Sequence, residues 1–236
     1  MRTKVMGIVN VTPDSFSDGG LFYRPEQALA RAMNMVGEGA DIIDLGGEST
    51  RPGATPLGWR EEWSRLEPVL SALAGRTDVP ISVDTYHPET AERAVASGAA
   101  IVNCVYSEPI ARMAEICASG GAELVMPASC ADEIARRFPS LGVYLDPMIG
   151  FGTTRDDDLA LLRSIGELAK RGRVLVGASR KRIVKKLTGE KLTGKNLGGN
   201  LGIAAWCALN GAHVVRVHDV RETVQAMRVI SALMDA

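Results

Sequence analysis

The stretch Val214-Val-Arg-Val-His-Asp-Val-Arg-Glu-Thr-Val-Gln-Ala-Met-Arg-Val-Ile230 contains one complete copy of the pattern that decides the fold. Val214–Val217 is a continuous aliphatic run, which is typical of a strand buried on both faces. Asp219, with Glu222 three residues later, forms a variant capping box, and the apolar residues after it recur every three or four positions. The stretch therefore predicts a strand followed directly by an amphipathic helix.

The same pattern recurs along the whole chain. The aliphatic runs are Met6–Val11, Asp41–Leu45, Pro80–Val83, Ala100–Val105, Glu123–Met126, Val143–Leu145, Arg173–Val176 and Val214–Val217. A segment with helical period follows each run, and Ala131–Leu141 leaves room for only a short fifth helix. Eight such units favour a closed (β/α)8 TIM barrel over an open doubly wound sheet. Because no linker or low-complexity tract divides the chain, we expect one domain over residues 1–236.

The composition excludes several classes of protein. With 27 Lys and Arg against 28 Asp and Glu, the net charge is -1, which gives no general attraction to nucleic acid or to a membrane surface. No apolar run reaches the roughly 18 residues of a membrane span, and the N-terminus does not look like a signal peptide. The four cysteines form no CxxC pair, which predicts reduced, buried thiols in a cytoplasmic protein.

Polar residues follow nearly every predicted strand, at the end of a barrel where active sites lie. The cationic members, which together with Gly-rich backbone could bind a phosphate or pyrophosphate, are Arg51, Lys181, Arg216 and His218. The acids and the amide, which suit a nitrogen heterocycle with N–H donors and carbonyl acceptors, are Asp84, Asn103 and Asp146. The sequence thus indicates an anion at the rim and a heterocycle inside the mouth.

Each of these features also has an ordinary structural explanation. Asp219 is interpreted as a helix cap, and Lys185 and Lys186 as part of a solvated basic face. Residues 12–15 and 49–52 could be plain turns. Because the polar residues come at matching strand ends, the functional interpretation is favoured for the set as a whole.

Five long motifs resemble, in order and almost end to end, the dihydropteroate synthase family, folate-pathway enzymes inhibited by sulfonamides. They are Met6–Gly20, Asp44–Gly53, Ile81–Thr85, Gly177–Lys181 and Arg216–Val220. The resemblance implies condensation of 6-hydroxymethyl-7,8-dihydropterin diphosphate with 4-aminobenzoate, giving 7,8-dihydropteroate and pyrophosphate. It also implies a homodimer formed through the last helices.

The resemblance assigns roles residue by residue. The pterin would be held by Asp84, Asn103, Asp146 and Lys181. The diphosphate would be held by Asn10, Arg51, Arg216 and His218, with Mg2+ on Asn10. The aminobenzoate site would be shaped by Thr50, Pro52, Phe151, Lys181 and Ser179 or Arg180. Asp14 and Phe16 would close over the reaction, and the catalytic group would be Asp14, Phe16, Arg51 and Lys181.

The chain departs from the family around its fourth to sixth strands. Cys104 stands where the family usually has Asp, and Met148 and Thr153 replace a Gly and a Lys of the sixth-strand motif. Val125–Ala128 replaces the family's usual motif after the fifth strand, and Asn196-Leu197 replaces an expected Arg-Leu pair. Most of the family's N-terminal hairpin is also expected to be missing.

Two alternatives therefore stay open beside a working synthase. One is a pterin-binding relative with a different amine substrate or with methyl-transfer chemistry. The other is a catalytically impaired pterin-binding subunit. The intact first, second, seventh and eighth strand-end motifs favour the synthase.

Overall fold

Eight parallel strands close into a barrel in the structure, a computed structural model that describes residues 2–12, 25–48 and 56–234. The strands are β1 (Lys4–Asn10), β2 (Ile42–Gly46), β3 (Ile81–Asp84), β4 (Ile101–Asn103), β5 (Glu123–Pro127), β6 (Val143–Asp146), β7 (Arg173–Val176) and β8 (Val214–Val217). Each strand pairs with the next along the chain, and β8 pairs with β1 to complete the ring. The predicted (β/α)8 barrel is confirmed, and every predicted strand lies within two residues of its observed bounds.

The described residues form ten α-helices around the barrel. They are α1 (Pro25–Gly37), α2 (Trp59–Ala74), α3 (Pro88–Ala96), α4 (Ile110–Gly120), α5 (Ala131–Arg137), α6 (Arg155–Arg163), α7 (Ile165–Ala169), α8 (Arg182–Thr188), α9 (Leu197–Leu209) and α10 (Val220–Met234). The short fifth helix is confirmed, and a single 3-10 turn at Ala128–Cys130 leads into it. None of the helices in the described ranges is long and apolar enough to cross a membrane.

Local sequence explains where several helices begin. Pro25 and Pro88 stand at the first positions of α1 and α3, where a missing N–H costs nothing. Thr154 caps α6 in a full capping box with Asp157. Asp219 comes directly before α10 as predicted, and its backbone carbonyl accepts bonds from the Thr223 amide and hydroxyl.

A separate apolar cluster fills the inside of the barrel, away from the two larger clusters beneath the helices. Its members are Met6, Ile42, Ile101, Val125, Tyr144, Leu175 and Val214. Side chains on a strand alternate between its two faces, so the residue two positions further along also points inward. This rule places the first polar layer directly above the apolar cluster, towards the carboxyl ends of the strands.

Candidate active site at the carboxyl ends of the strands

The even-numbered strands supply a layer of four inward-pointing polar residues. Each lies two positions beyond a member of the apolar interior cluster, and together they are Asp44, Asn103, Asp146 and Arg216. A TIM-barrel interior is normally built from layers of four side chains donated by alternate strands, usually bulky aliphatic ones. Replacing a whole layer by charged and amide groups is costly, which marks this level of the barrel as a binding site.

Arg216 connects β8 to β2 and β3 through two buried or half-buried carboxylates. Its Nε and Nη2 lie 2.7 and 2.6 Å from Oδ2 of Asp44, and Nη2 also lies 2.6 Å from Oδ2 of Asp84. Burial alone would lower the pKa of Arg216, but the two carboxylates outweigh that effect and raise it. Burial raises the pKa of Asp84 to about 7, against the opposing effect of Arg216. We call Asp44, Asp84, Asn103 and Arg216 the carboxylate side of the site.

Several buried polar atoms on this side have no partner among the described residues. Asn103 donates from Nδ2 to Oδ2 of Asp44 over 3.3 Å, which leaves Oδ1 of both side chains without a hydrogen bond within the described ranges. Ser82 pairs in register with Asp44, and its buried hydroxyl likewise has no hydrogen-bond partner within the described ranges. Unsatisfied buried acceptors are costly, so this cluster suits a ligand that brings N–H donors.

The turn after β6 holds Asp146 in place. Its Oδ1 accepts a hydrogen bond of 2.6 Å from the backbone amide of Met148. Met148 has φ +68°, a left-handed conformation that favours glycine, and it is the residue that replaces the family's Gly. A residue with a side chain therefore holds this left-handed conformation at a cost in backbone strain.

Lys181 lies across from Asp146, at the start of α8. Its Nζ donates to the carbonyl of Ile149 over 2.6 Å and stands 4.1 Å from the centre of the Phe151 ring. Burial lowers the pKa of Lys181 to about 8, although Asp146 acts in the opposite direction. Burial likewise raises the pKa of Asp146, partly offset by Lys181 and by the Met148 amide. The predicted pterin and aminobenzoate residues of these two strands are thus brought together.

The end of β7 contacts the end of β8. The Ser179 hydroxyl lies 3.1 Å from Nδ1 of His218, and the His218 amide donates to the same hydroxyl over 3.3 Å. Arg180 also has a positive φ, +61°, and its guanidinium donates to the Asp219 carboxylate over 2.5 Å. We call Asp146, Met148, Arg180 and Lys181 the turn side of the site.

Asn10 ends β1 at the same level as Gly46, Asp84 and Asn103, which follow one another in register. A methyl group on Gly46 would lie 4.0 Å from Oδ1 of Asn10 and 3.8 Å from Cβ of Asp84. The carboxamide oxygen of Asn10 is therefore close to the carboxylate side of the site, which is a suitable place for a hard cation. The described residues contain no group of three or more His, Cys, Asp or Glu side chains that would hold a metal by themselves.

Some predicted site residues lie outside the described residues. These are Asp14, Phe16, Thr50, Arg51 and Pro52. All other predicted site residues lie at the carboxyl ends of β1, β3, β4, β6, β7 and β8 or in the turns that follow.

The sequence interpretation missed two functional candidates. Asp44 was not among the predicted site residues, although a carboxylate inside the aliphatic run Ile42–Leu45 could have indicated it. Glu62 was also missed: it is fully buried on α2 and accepts a bond of 2.7 Å from the Thr85 hydroxyl. A methyl group on Gly47 would lie 2.9 Å from Cγ of Glu62, so α2 packs tightly against the backbone that precedes residues 49–55.

Cys104 does not substitute for the acid that the family usually has at its position. The side chain is fully buried, and Sγ donates weakly to the Tyr106 carbonyl over 3.5 Å. Burial raises the pKa of Cys104 to about 12, so the thiol stays neutral at physiological pH. All four cysteines are free. Cys104, Cys117 and Cys207 are buried as predicted, but the prediction is wrong for Cys130, which is half-buried.

Comparison with known proteins gives a consistent result. The family model described as "Pterin binding enzyme" matches residues 6–139 and 133–218, two stretches that overlap at residues 133–139, in α5 and directly after it. Dihydropteroate synthase of Neisseria meningitidis serogroup B is 40% identical, with 98% of this chain and 93% of that protein covered. Its alignment runs over 266 positions, more than the 236 residues of this chain, so the relative carries insertions within the matched region.

Solved structures agree with these matches. Xanthomonas albilineans dihydropteroate synthase with 4-aminobenzoic acid superposes with a TM-score of 0.90 at 36% identity, covering 100% of this chain and 94% of the other. The same enzyme in complex with 7,8-dihydropteroate gives a TM-score of 0.87 at 35% identity, covering 100% and 95%.

Proposed function

The chain belongs to the pterin-binding enzyme family, and from this premise we propose that it is a dihydropteroate synthase. It condenses 6-hydroxymethyl-7,8-dihydropterin diphosphate with 4-aminobenzoate and releases 7,8-dihydropteroate and pyrophosphate. The observation that carries the proposal is the set of buried acceptors on Asp44 and Asn103 beside the half-buried Asp84. A pterin carries the adjacent N–H donors that such acceptors need.

The carboxylate side recognises the heterocycle. Asp84 and Asp44 accept from its N–H groups, and Asn103 supplies a further acceptor through Oδ1. Arg216 was expected to bind the diphosphate, but two of its nitrogens already serve Asp44 and Asp84. We assign it first to orienting both carboxylates, with its remaining N–H donors directed to the ligand.

The turn side closes the pocket around the reacting carbon. Asp146 and Lys181 flank the pterin, and the Phe151 ring beneath the Lys181 ammonium provides an apolar wall for the aminobenzoate ring. Ser179 and His218 meet at the β7–β8 rim, where they and Arg51 are assigned to polar and anionic groups of the substrates. Asp14 and Phe16 are assigned to closure, and Thr50, Pro52 and Arg180 to the aminobenzoate site.

The chemistry requires no nucleophile from the protein. The arylamine nitrogen attacks the pterin methylene carbon, the carbon–oxygen bond to the diphosphate breaks, and its electron pair leaves with pyrophosphate. A carbon–nitrogen bond forms, and the amine releases one proton. The residues of the site orient both substrates, exclude water and neutralise the departing charge.

Mg2+ is the cofactor we propose, held by Oδ1 of Asn10 and by oxygens of the diphosphate. A single amide oxygen beside the carboxylate side of the site fits a cation that takes most of its ligands from substrate phosphates and water. When bound, the ion would neutralise charge on the leaving group. Loss of turnover on chelation, restored by Mg2+, is the expected result.

The proposal is tested by mixing purified protein with the pterin diphosphate, 4-aminobenzoate and Mg2+ and following pyrophosphate release. We expect turnover that needs the amine and that is lost in Arg51→Ala. Pterin binding without turnover would support an impaired pterin-binding subunit instead. Turnover with another arylamine but not with 4-aminobenzoate would support a modified substrate.

We also propose that the protein is a homodimer formed through α9 and α10, and that it works in the cytoplasm. Two helices at the end of the chain expose large apolar side chains, namely Trp206 and Leu209 on α9 and Val229, Leu233 and Met234 on α10. Such a patch suits a second copy of the same face. Leu233→Glu is expected to halve the mass seen by analytical ultracentrifugation, whereas Leu192→Glu, an exposed leucine outside both helices, leaves it unchanged.

A further inference from the structure

The segment that carries Ser179 and Lys181 is a tight turn with an unfavourable residue in it. The Lys181 amide donates to the Ala178 carbonyl over 3.1 Å, which closes a four-residue turn. Arg180 occupies its third position with φ +61°. Type II turns require a positive φ at this position and usually place Gly or Asn there. An arginine in this conformation is strained, and the turn therefore needs support from outside.

Asn200 on α9 supplies that support. Its Oδ1 accepts a hydrogen bond of 2.9 Å from the Arg180 amide, and the side chain is only 8% exposed. Its Nδ2 donates to Oδ1 of Asn196, which fixes the orientation of the amide group with the oxygen facing the turn. The bond is made to the backbone of the strained residue, so it acts on the turn whatever the Arg180 side chain does.

The base of this support is rigid. Gly199, beside Asn200, packs so closely on α8 that an added methyl would lie 2.4 Å from Cγ2 of Thr188 and 2.9 Å from Cγ1 of Val184. Helices α8 and α9 are therefore in direct contact along α8, from Val184 in its first turn to its last residue, Thr188. A displacement of Asn200 would shift the turn rather than be absorbed between the helices.

We propose that Asn200 is a positioning residue for the Ser179–Lys181 turn, and this inference rests on the proposed synthase function. By holding Arg180, it fixes at once the Ser179 hydroxyl against His218 and the Lys181 ammonium against the Ile149 carbonyl. Asn196 stands where the family has the Arg of an Arg-Leu pair. Its hydrogen bond with Asn200 therefore gives this departure a structural role.

The test compares the wild type and four variants in steady-state turnover and in binding of 7,8-dihydropteroate. We expect Asn200→Ala to lower kcat/KM about tenfold and weaken dihydropteroate binding, because small misplacement of binding groups is costly. Asn200→Asp should restore kcat/KM and dihydropteroate binding to within about threefold, because one carboxylate oxygen still accepts from the Arg180 amide. The buried Nδ2 of Asn196 has no partner among the described residues, so the Asn196 amide can rotate and donate to the other carboxylate oxygen. Asn210→Ala, an exposed amide at the other end of α9, should equal the wild type.

Asn196→Ala keeps Asn200 but removes the group that orients it, and should give a smaller loss than Asn200→Ala. It also keeps the test informative if Asn200→Ala does not fold. Equal kcat/KM in Asn200→Ala and wild type, or equal losses in the Ala and Asp variants despite similar melting temperatures, would overturn the inference. A wild type that neither turns over nor binds dihydropteroate would instead contradict the proposed function.

Discussion

The two sides of the mouth are built by different physical means. On the carboxylate side, charged groups on regular strands neutralise one another, and Arg216 binds both Asp44 and Asp84. On the turn side, Asp146 and Lys181 are each held by backbone groups, and the neighbouring turns contain non-glycine residues with positive φ. The difference indicates that the first side contributes to both stability and binding, whereas the second is maintained for binding at a cost in stability.

Removing Arg216 should have the largest effect. Arg216→Met leaves two acids without their shared cation, so we expect the free energy of unfolding to fall by about 3–5 kcal/mol, with loss of turnover. Arg112→Met removes an exposed ion pair that solvent screens, and it should lower the free energy of unfolding far less. Urea denaturation measures both, and similar losses in the two variants would show that the ion pairs of Arg216 do not stabilise the fold.

Removing Lys181 should affect activity more than stability. Lys181→Met is expected to lower kcat about 100-fold, as for other groups that stabilise developing charge. Burial depresses the pKa of this lysine in the folded state to about 8, so its charge costs stability below that pH and the cost disappears as pH rises towards 10.5. The variant should therefore be at least as stable as the wild type at pH 7. Between pH 8 and 10.5 the free energy of unfolding of the wild type should rise relative to that of the variant. A strongly destabilised variant at pH 7 would contradict this account.

Gly150 tests whether the turn side has room to move. It has φ +80°, and an added methyl would lie 2.9 Å from Cδ of Lys181. Gly150→Ala should therefore displace Lys181 and lower kcat/KM about tenfold. Gly152→Ala, with a similar φ of +72° but open space around it, separates backbone strain from the collision and should lose less activity.

The smallest expected effect is a gain. Met148→Gly relieves the strain of φ +68° and should raise the free energy of unfolding by up to about 1 kcal/mol, because the added flexibility of the unfolded chain offsets part of the relief. Met148→Ala keeps the strain and should give no gain. Turnover should change less than about twofold in both, since the amide that binds Asp146 remains.

The barrel could be predicted from sequence because its strands are continuous aliphatic runs and its helices carry regular apolar faces. The same periodicity located the strand-end residues Asp84, Asn103 and Asp146. It could not show that Arg216 is bound to two acids, because side-chain pairing across β8, β2 and β3 depends on the closed ring.

Two further features were not readable from the pattern. Left-handed backbone at Met148 and Arg180 was hidden, since neither residue type signals a positive φ. The contact of Asn200 with Arg180 joins residues 20 positions apart on different elements, and no local propensity encodes it. Sequence located the site, and the packing of neighbouring turns determined how it is held.

The pH dependence of kcat/KM for the pterin diphosphate tests whether Asp84 on the carboxylate side and Lys181 on the turn side both bind this substrate. Asp84, whose pKa burial raises to about 7, must be ionised to accept from the pterin, and Lys181, whose pKa burial lowers to about 8, must be protonated to bind. We predict a narrow bell, rising through about pH 7 and falling above about pH 8, whose acid limb disappears in Asp84→Asn and whose alkaline limb disappears in Lys181→Met. A profile with the same two limbs in all three proteins would contradict the account.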